Sequence, residues 1–461
     1  MSSNPAEGAV LNQPVDQIEL VFSGECKPAG DGFVVLDGSG IERLPDNVSS
    51  VDKLTWVLSF DDPLAEGAVG VRWSVAAPDA HPIEGSFSFM VASTDVSPSD
   101  APSQTAATDL DDFLETEADG PALVGAVGIL GRSLSLAGAL VGIGGVLFAA
   151  WVLRGSPGDI RSVLFWVRRA SVLLGAGVII ELVHQAAVVK GGWQILWPPT
   201  TIAEVLGSAF GLAILLRLVG AGFLLRAHLD VIPAHQVKDP VVAVQTAVGV
   251  GAGPALSDSA ALDHPTAGEP YAHRGDYAWK ISGETRLIAI GVFLLLLSYV
   301  FDGHTVTEGI RGVTALVDII HVGAGAIWAG GLVMLVHVVW RRHRRRADVR
   351  ALQLAVRFSV VAAAALVVTG AAGLVLAVTI ADDVSDLWST PWGLVLMAKL
   401  AIVAVAAAAG GYNHKVLIPR MTQAGPDSSE VDAEFRRAVS WEGAAMALVI
   451  ILTAVLVGSA S

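Results

Sequence analysis

The chain is poor in sulfur. It contains one cysteine, Cys26, and six methionines in 461 residues. A single cysteine excludes an internal disulfide, so cysteine usage says nothing about the redox compartment. The few thioethers disfavour a soft-metal site built on sulfur ligands, which leaves imidazole and carboxylate groups as the available ligands. The 11 histidines can supply the imidazoles.

Basic residues are also scarce. The 29 Lys and Arg residues are outnumbered by 44 Asp and Glu residues, which gives a formal net charge of −15. This balance disfavours nucleic acid as a partner. The sequence also lacks a nucleophile and base arrangement and a phosphate-binding loop, so we expect neither a hydrolase nor an ATP-driven pump, and no enzyme.

Apolar residues are abundant. They make up 53% of the chain, together with 49 glycines, and the mean hydropathy is +0.60. This composition predicts an integral membrane protein with at least one further domain. The long apolar runs begin only near residue 123, so the part before them is expected to be the further domain.

Residues 1–93 alternate apolar and polar residues in the manner of a β domain. Strands are predicted at 18–22, 33–36, 54–60, 69–76 and 85–91. Their spacing predicts an all-β sandwich or barrel. In the fourth strand the alternation places four side chains on the core face: Val69, Val71, Trp73 and Val75.

A polar loop pinned by Pro78 and Pro82 follows the fourth strand. Asp79 and His81 lie two residues apart in it, so their side chains can point the same way in an extended backbone. The pair can hold a metal, but on these residues alone a solvated polar turn without a metal is the more common explanation.

Residues 94–121 form an acidic stretch with few apolar residues, which predicts a flexible linker. Residues 122–461 are predicted to form an all-α membrane domain of eight transmembrane helices with a long loop at 226–284. The eight apolar runs are 124–153, 163–189, 202–225, 287–301, 313–340, 352–380, 392–412 and 438–457.

Basic residues concentrate in the odd-numbered connections between these runs, for example Arg154 in the first and Arg342, Arg344 and Arg345 in the fifth. The even-numbered connections offer only Lys190 and Arg311. The positive-inside rule therefore places the odd connections in the cytoplasm and both termini outside a plasma membrane. An extracytoplasmic β domain agrees with this orientation.

Ionisable residues inside the predicted spans are the candidate site. Glu181 with His184, and Asp318 with His321, each form an acid-x-x-His pair on one helix face. His304 lies where the fourth span emerges, two residues after Asp302. On the predicted topology these groups lie at one depth near the outer surface, where they suit a borderline divalent cation.

Each of these residues also has a plainer explanation. Asp318 and His321 can hydrogen-bond to neighbouring helices, His184 can lie at the interface, and His304 can be an exposed loop residue. Arg357 and Lys399 can either balance buried acids such as Glu442 or extend to the interface. The glycines around Trp328 are first of all expected to permit close helix packing.

The N-terminal region resembles the CopC copper-binding domain. The resemblance lies in residues 3–9, 20–23 and 72–87. In that family Cu(II) is held by an amino-terminal histidine with its amine and by an Asp-x-His pair, which matches Asp79 and His81. The amino-terminal histidine does not appear here and no signal peptide is evident, so we expect the natural start to lie upstream.

The membrane region resembles the CopD copper-resistance family over most of its length. The motifs that carry the resemblance are Asp302-Gly303-His304, His321 through Gly331, Arg357-Phe358-Ser359, Thr369-Gly370, Thr390-Pro391-Trp392-Gly393, Lys399, Asn413 and Arg436 through Glu442. The family implies copper movement across the inner membrane, with CopC-like domains delivering metal outside.

Together the residues and the resemblance predict a protein that captures Cu(II) outside and passes it inward. The predicted ligands are Asp79, His81, Glu181, His184, His304, Asp318 and His321. The expected partners are copper, membrane lipids and extracytoplasmic copper chaperones. Two alternatives stay open: a haem protein with His184 and His321 as axial ligands, and a copper sensor or scaffold that does not transport.

Overall fold

The structure is a computed structural model that describes residues 1–76, 82–92, 110–111, 113–114, 122–189, 199–237, 276–280, 285–301, 311–346, 351–380, 383–424 and 429–459. The chain divides into two compact units. One comprises Met1–Gly128 with Ile180–Leu212 and Ser461, and the other comprises Ile129–Ile179 with Ala213–Ala460.

The N-terminal region is a β-sandwich. Its described strands are Ser2–Asn4 (β1), Val10–Leu11 (β2), Gln17–Val21 (β3), Lys27–Leu36 (β4), Glu42–Arg43 (β5), Asn47–Ser49 (β6), Thr55–Ser59 (β7), Gly67–Ala76 (β8) and Pro82–Val91 (β9). One sheet has the order β1-β3-β7-β6 and the other has the order β2-β9-β8-β4-β5. Strand β2 runs parallel to β9, whereas the other pairs are antiparallel. The predicted β-sandwich is confirmed.

The core lies between these two sheets, where apolar side chains of both meet. Val69, Val71 and Val75 of β8 are fully buried, as the alternation predicted. Trp73 is half-buried and packs against this core. Strand β4 is longer than predicted because it contains a bulge with Gly30 and Gly32 at positive φ, a pattern that resembles a turn in the sequence.

Part of the predicted linker packs onto the sandwich. Phe113 is buried, and a Cβ added to Gly70 of β8 would lie 2.8 Å from its ring. The guanidinium of Arg72 lies over the same ring at 4.2 Å from its centroid. The hydroxyl of Ser86 donates to the Leu114 carbonyl at 3.2 Å. This short described segment is therefore held by the sandwich, because Gly70 leaves room for an aromatic ring.

The described helices are Ala122–Leu147 (α1), Pro157–Val189 (α2), Pro199–Leu206 (α3), Ala209–Leu224 (α4), Thr285–Ser298 (α5), Arg311–Gly325 (α6), Gly331–Arg344 (α7), Ala351–Ile380 (α8), Asp386–Ser389 (α9), Pro391–Tyr412 (α10), Ile418–Ala424 (α11) and Ser429–Ser459 (α12). Wide π-turns at Phe148–Val152, Ala326–Gly330 and Asn413–Leu417 continue three of these helices. Nothing in the sequence pattern predicted these π-turns.

Six helical stretches of the described chain are long and apolar enough to cross a membrane. They are Gly125–Val152, Pro157–Val188, Gly312–Arg344, Leu352–Thr379, Pro391–Gln423 and Glu430–Leu456. The third and fourth predicted spans contain shorter apolar helices, Ala209–Leu224 and Arg286–Phe301. Eight spans are therefore not confirmed.

The third predicted span is interrupted at Gly207 and Ser208. The Ser208 hydroxyl accepts from the Gly211 amide at 3.2 Å, so Ser208 caps a new helix instead of continuing the previous one. Helix α10 begins with the same kind of N-cap, because the Thr390 hydroxyl accepts from the Gly393 amide at 3.0 Å. Pro391 takes the first helical position. The Thr390-Pro391-Trp392-Gly393 motif is thus a helix start.

The long connection at 226–284 is tied together at its ends. Val231–Pro233 (β10) and Tyr277–Trp279 (β11) form an antiparallel pair. The Gly155 amide donates to the Tyr277 carbonyl at 3.1 Å, and the Tyr277 amide donates back at 2.9 Å. The Trp279 indole is buried and donates to the His228 carbonyl at 3.1 Å.

Buried charged groups join α2 to α7, and α8 to the π-turn after α1. Asp159 accepts from Arg341 at 2.9 Å and from Arg342 at 3.1 Å. Arg357 donates to the Val152 carbonyl at 2.9 Å and to the Trp151 carbonyl at 2.7 Å, both in the π-turn after α1. Arg357 therefore donates to backbone carbonyls, a contact that neither of the two explanations from the sequence named.

Candidate metal centre

His321 is the candidate ligand whose surroundings are best defined. It lies on α6, and its Nδ1 is 2.9 Å from the main-chain carbonyl of Thr369 on α8. A carbonyl can only accept, so Nδ1 carries the hydrogen and the lone pair lies on Nε2. This is the arrangement by which proteins orient a metal-ligating histidine.

Gly373, one turn after Thr369 on α8, provides the space for this imidazole. A Cβ added to Gly373 would lie 2.9 Å from Cε1 of His321 and 3.2 Å from its Nδ1. Any larger residue would push the ring away from the Thr369 carbonyl. The ring position is therefore set by two residues of α8, Thr369 and Gly373. Thr369 stands in one of the motifs that resemble the CopD family, whereas the sequence did not single out Gly373.

Asp318 precedes His321 by one helical turn and is half-buried. Its carboxylate interacts electrostatically with Lys399 of α10, and Lys399 in turn interacts with His321. Of the two roles that the sequence left open for Lys399, the structure therefore favours balancing an acid, and that acid is Asp318. The group combines one imidazole, one carboxylate and one ammonium.

Glu181 and His184 lie near the end of α2, and both are buried. A Cβ added to Gly128 of α1 would lie 2.6 Å from Cε1 and Nε2 of His184, so a glycine again leaves room for the imidazole. These two residues belong to the first compact unit, whereas Asp318 and His321 belong to the second.

His304 and Asp302 lie outside the described residues, as do Asp79 and His81. Strands β8 and β9 frame the latter two, because Ala76 pairs with Pro82 across the connection. In the described part of the chain no three His, Cys, Asp or Glu side chains come together as a metal-binding group. The convergence of the five predicted membrane ligands and the separate outer site at Asp79 and His81 both stay predictions.

Comparison with known proteins matches a region at each end of the chain to a known family. Residues 1–92 match the family of the CopC domain, and residues 352–456 match the family of copper resistance protein D, CopD. Copper resistance protein C of Pseudomonas syringae pv. tomato is 35% identical over 98 residues, which cover 20% of this chain and 77% of that protein. The chain belongs to the CopC/CopD copper resistance family. It has its CopC domain at the N-terminus and its CopD domain at the C-terminus.

The copper transport protein CutJ of Bacillus subtilis (strain 168) matches both domains. It is 23% identical over 406 residues, which cover 87% of this chain. The chain spans 64% of the length of CutJ. A solved structure of CopC from Methylosinus trichosporium OB3b is 22% identical and covers 21% of this chain and 95% of its own, with a TM-score of 0.19. The CopD domain and the apolar helices make this CopC/CopD member a multi-pass membrane protein.

Proposed function

We propose that this protein takes up Cu(II) at its CopC domain outside the cell and passes copper inward through its CopD domain. The observation that carries the proposal is His321, an imidazole in an apolar span whose Nδ1 is bonded to the Thr369 carbonyl at 2.9 Å. That bond leaves Nε2 to coordinate a cation. Ionisable side chains at membrane depth are costly, so an oriented imidazole beside a carboxylate calls for a function.

Lys399 favours a passing ion over a resident one. When no copper is bound, its ammonium balances the Asp318 carboxylate electrostatically. When a copper ion approaches Asp318 and His321, the same ammonium repels it. The empty site is thus stable, and copper binding to it is weakened by the neighbouring ammonium. Such a site is suited to holding the ion only briefly.

The CopC domain supplies the outer site in this proposal. Asp79 and His81 would be its Cu(II) ligands, on the connection between β8 and β9. The match of residues 1–92 to the CopC domain family supports this assignment. The name of the relative CutJ, a copper transport protein, supports movement of copper as opposed to storage.

The remaining parts of the proposal extend the topology predicted from the loop charges. The CopC domain and the C-terminus face the outside of the plasma membrane, and Glu181, His184 and His304 join Asp318 and His321 on the path. The role is binding and transfer of an ion, with no chemical conversion. Copper chaperones outside the membrane would load the CopC domain.

Uptake into liposomes tests the proposal. Full-length protein is reconstituted, radioactive copper is added, and the copper inside is measured with time. We expect saturable uptake that His321→Gln lowers by at least about tenfold, because a metal ligand is lost. His343→Gln is the matched control, since His343 is an exposed histidine on α7 of the same span.

Three outcomes would overturn the proposal. Copper that binds to the protein but never enters the lumen would make it a sensor or scaffold. A Soret band that disappears in His184→Ala or His321→Ala would make it a haem protein. Unchanged uptake by His321→Gln would remove this residue from the path.

A further inference from the structure

Glu442 is a buried carboxyl group that the copper site does not use. It lies on α12 near the middle of the candidate span Glu430–Leu456, and only 6% of its surface is exposed. An ionised carboxylate in this environment is costly unless a cation or several donors compensate its charge. The groups around Glu442 therefore decide whether its carboxyl group can be ionised or protonated.

Asn413, the first residue of the π-turn after α10, is the hydrogen-bond partner of Glu442. Its Nδ2 donates to Oε1 of Glu442. Asn413 is 7% exposed, and its Oδ1 is buried without a hydrogen-bond partner among the described residues. The second carboxyl oxygen faces the backbone at Gly410, where an added Cβ would lie 3.9 Å from Oε2.

In the described part of the chain, charged groups of α7 and α10 interact with partners other than Glu442. On α7, Arg341 and Arg342 bind Asp159, and His337 contacts the Ser162 hydroxyl at 3.3 Å. Lys399 of α10 interacts with Asp318. Two turns before Glu442 on α12, Glu434 is bound by Tyr412 and Arg420. His414 and Lys415 of the π-turn are exposed, and Arg436 and Arg437 lie more than one turn before Glu442 on α12.

The amide of Asn413 can serve both protonation states of this carboxyl group. An ionised Glu442 accepts from Nδ2, which leaves Oδ1 unsatisfied, as observed. A protonated Glu442 has an O–H to donate, and a half-turn of the amide brings Oδ1 to receive it. A proton is thus the smallest ligand that neutralises the carboxylate and also satisfies the buried amide oxygen.

We propose that Asn413 and Glu442 form a proton-binding site within the membrane domain. Glu442 takes up the proton, and Asn413 positions the carboxyl group in both states by rotation of its amide. The proton comes from a hydronium ion of the aqueous phase, so an O–H bond breaks in hydronium and one forms on Glu442. The hydrogen bond from Nδ2 is exchanged for one to Oδ1. The site does not depend on copper being the transported ion.

Infrared difference spectroscopy of full-length protein in lipid tests this site directly. We expect a carbonyl band of a protonated carboxylic acid that appears as the pH is lowered and shifts in D₂O. The band should be lost in Glu442→Gln. It should be kept in Glu434→Gln, which removes a half-exposed carboxylate of the same helix that is already bonded to Tyr412 and Arg420.

Asn413→Leu keeps the carboxyl group and removes its partner. It should move the band to the frequency of an acid without a hydrogen bond, and this readout also applies if Glu442→Gln fails to fold. A band that is unchanged in Asn413→Leu would overturn the proposal. So would displacement of the band by sodium ions at constant pH, because the site would then bind a metal cation instead of a proton.

Discussion

Gly373 lies directly against the imidazole of His321, and an added methyl group at Gly373 would come within 2.9 Å of the ring. The absence of one side chain on α8 thus permits the bond between His321 and the Thr369 carbonyl. The position of a candidate ligand depends on a residue that has no functional group.

Gly373→Ala should therefore weaken copper binding at His321. The added methyl group displaces the ring from Thr369, and loss of such an orienting contact costs about 10- to 100-fold in metal affinity. Copper titration of the purified protein measures the effect. Gly370→Ala is the matched control, because nothing lies within 4 Å of its added Cβ on the same helix. Equal effects of both variants would contradict the assigned role.

Gly144→Ala should destabilise the helical unit. Its Cβ would collide with the Ala326 carbonyl and lie 2.7 Å from Cα of Gly330, and both obstacles are backbone atoms that cannot turn aside. Such overpacking costs about 1–3 kcal/mol, which thermal unfolding in detergent would detect. Gly325→Ala meets nothing within 4 Å and should be neutral or stabilise by up to about 1 kcal/mol.

Lys399→Gln should make the protein depend on copper for stability. Without the ammonium, the Asp318 carboxylate loses its electrostatic partner. We expect a loss of roughly 1–3 kcal/mol in the absence of metal, between the values for exposed and buried ion pairs. Added copper should then raise the melting temperature more than it does in wild type. An identical copper response in both proteins would argue against an ion beside Asp318.

Cys26 should resist alkylation in the folded protein. Burial raises the pKa of its thiol above the ordinary value of 9.0, so the reactive thiolate is rarer in the folded than in the unfolded state. The unfolded chain loses the thiol proton first, and stability should therefore fall as the pH rises past 9.0. Maleimide labelling with and without denaturant measures both effects. Rapid labelling of the folded protein at neutral pH would contradict the burial.

The sandwich core could be predicted from the sequence because period-two alternation directly encodes which face is buried. Val69, Val71 and Val75 were assigned correctly for this reason. Strand β4 was underestimated because Gly30 and Gly32 form a bulge, and a short sequence cannot distinguish a bulge from a turn.

The site was predictable in its side chains but not in its backbone partners. Polar residues in apolar runs mark His321 and Asp318, and Thr369 stands in a motif that resembles the CopD family. Its main-chain carbonyl as a partner of His321 has no sequence signal, because every residue has such a carbonyl. The contact of Gly373 with the His321 ring, and the assignment of the lone pair to Nε2, follow only from the packing of α8 against α6. Asn413 and Glu442 were visible as polar residues, but their pairing spans a π-turn that shifts the helix register.

The charges of the connections are only partial evidence for the predicted membrane orientation. Arg154 and Arg342 contributed to the predicted orientation, yet both are buried, and Arg342 bonds to Asp159 and to the Arg154 carbonyl. Buried arginines of this kind are required by the fold, so their position does not depend on which side of the membrane the connection faces. The orientation therefore depends more on exposed residues such as Arg344 and Arg345.

The π-turn at Ala326–Gly330 lies between His321 and the arginines that bind Asp159. One residue inserted into an α-helix rotates everything beyond it by about 100°. Without that residue, Arg341 and Arg342 would face away from Asp159 whenever His321 faced Thr369. The wide turn therefore sets the direction in which the two arginines point relative to His321. An uninterrupted α-helix could make the contact with Thr369 or the contact with Asp159, but not both.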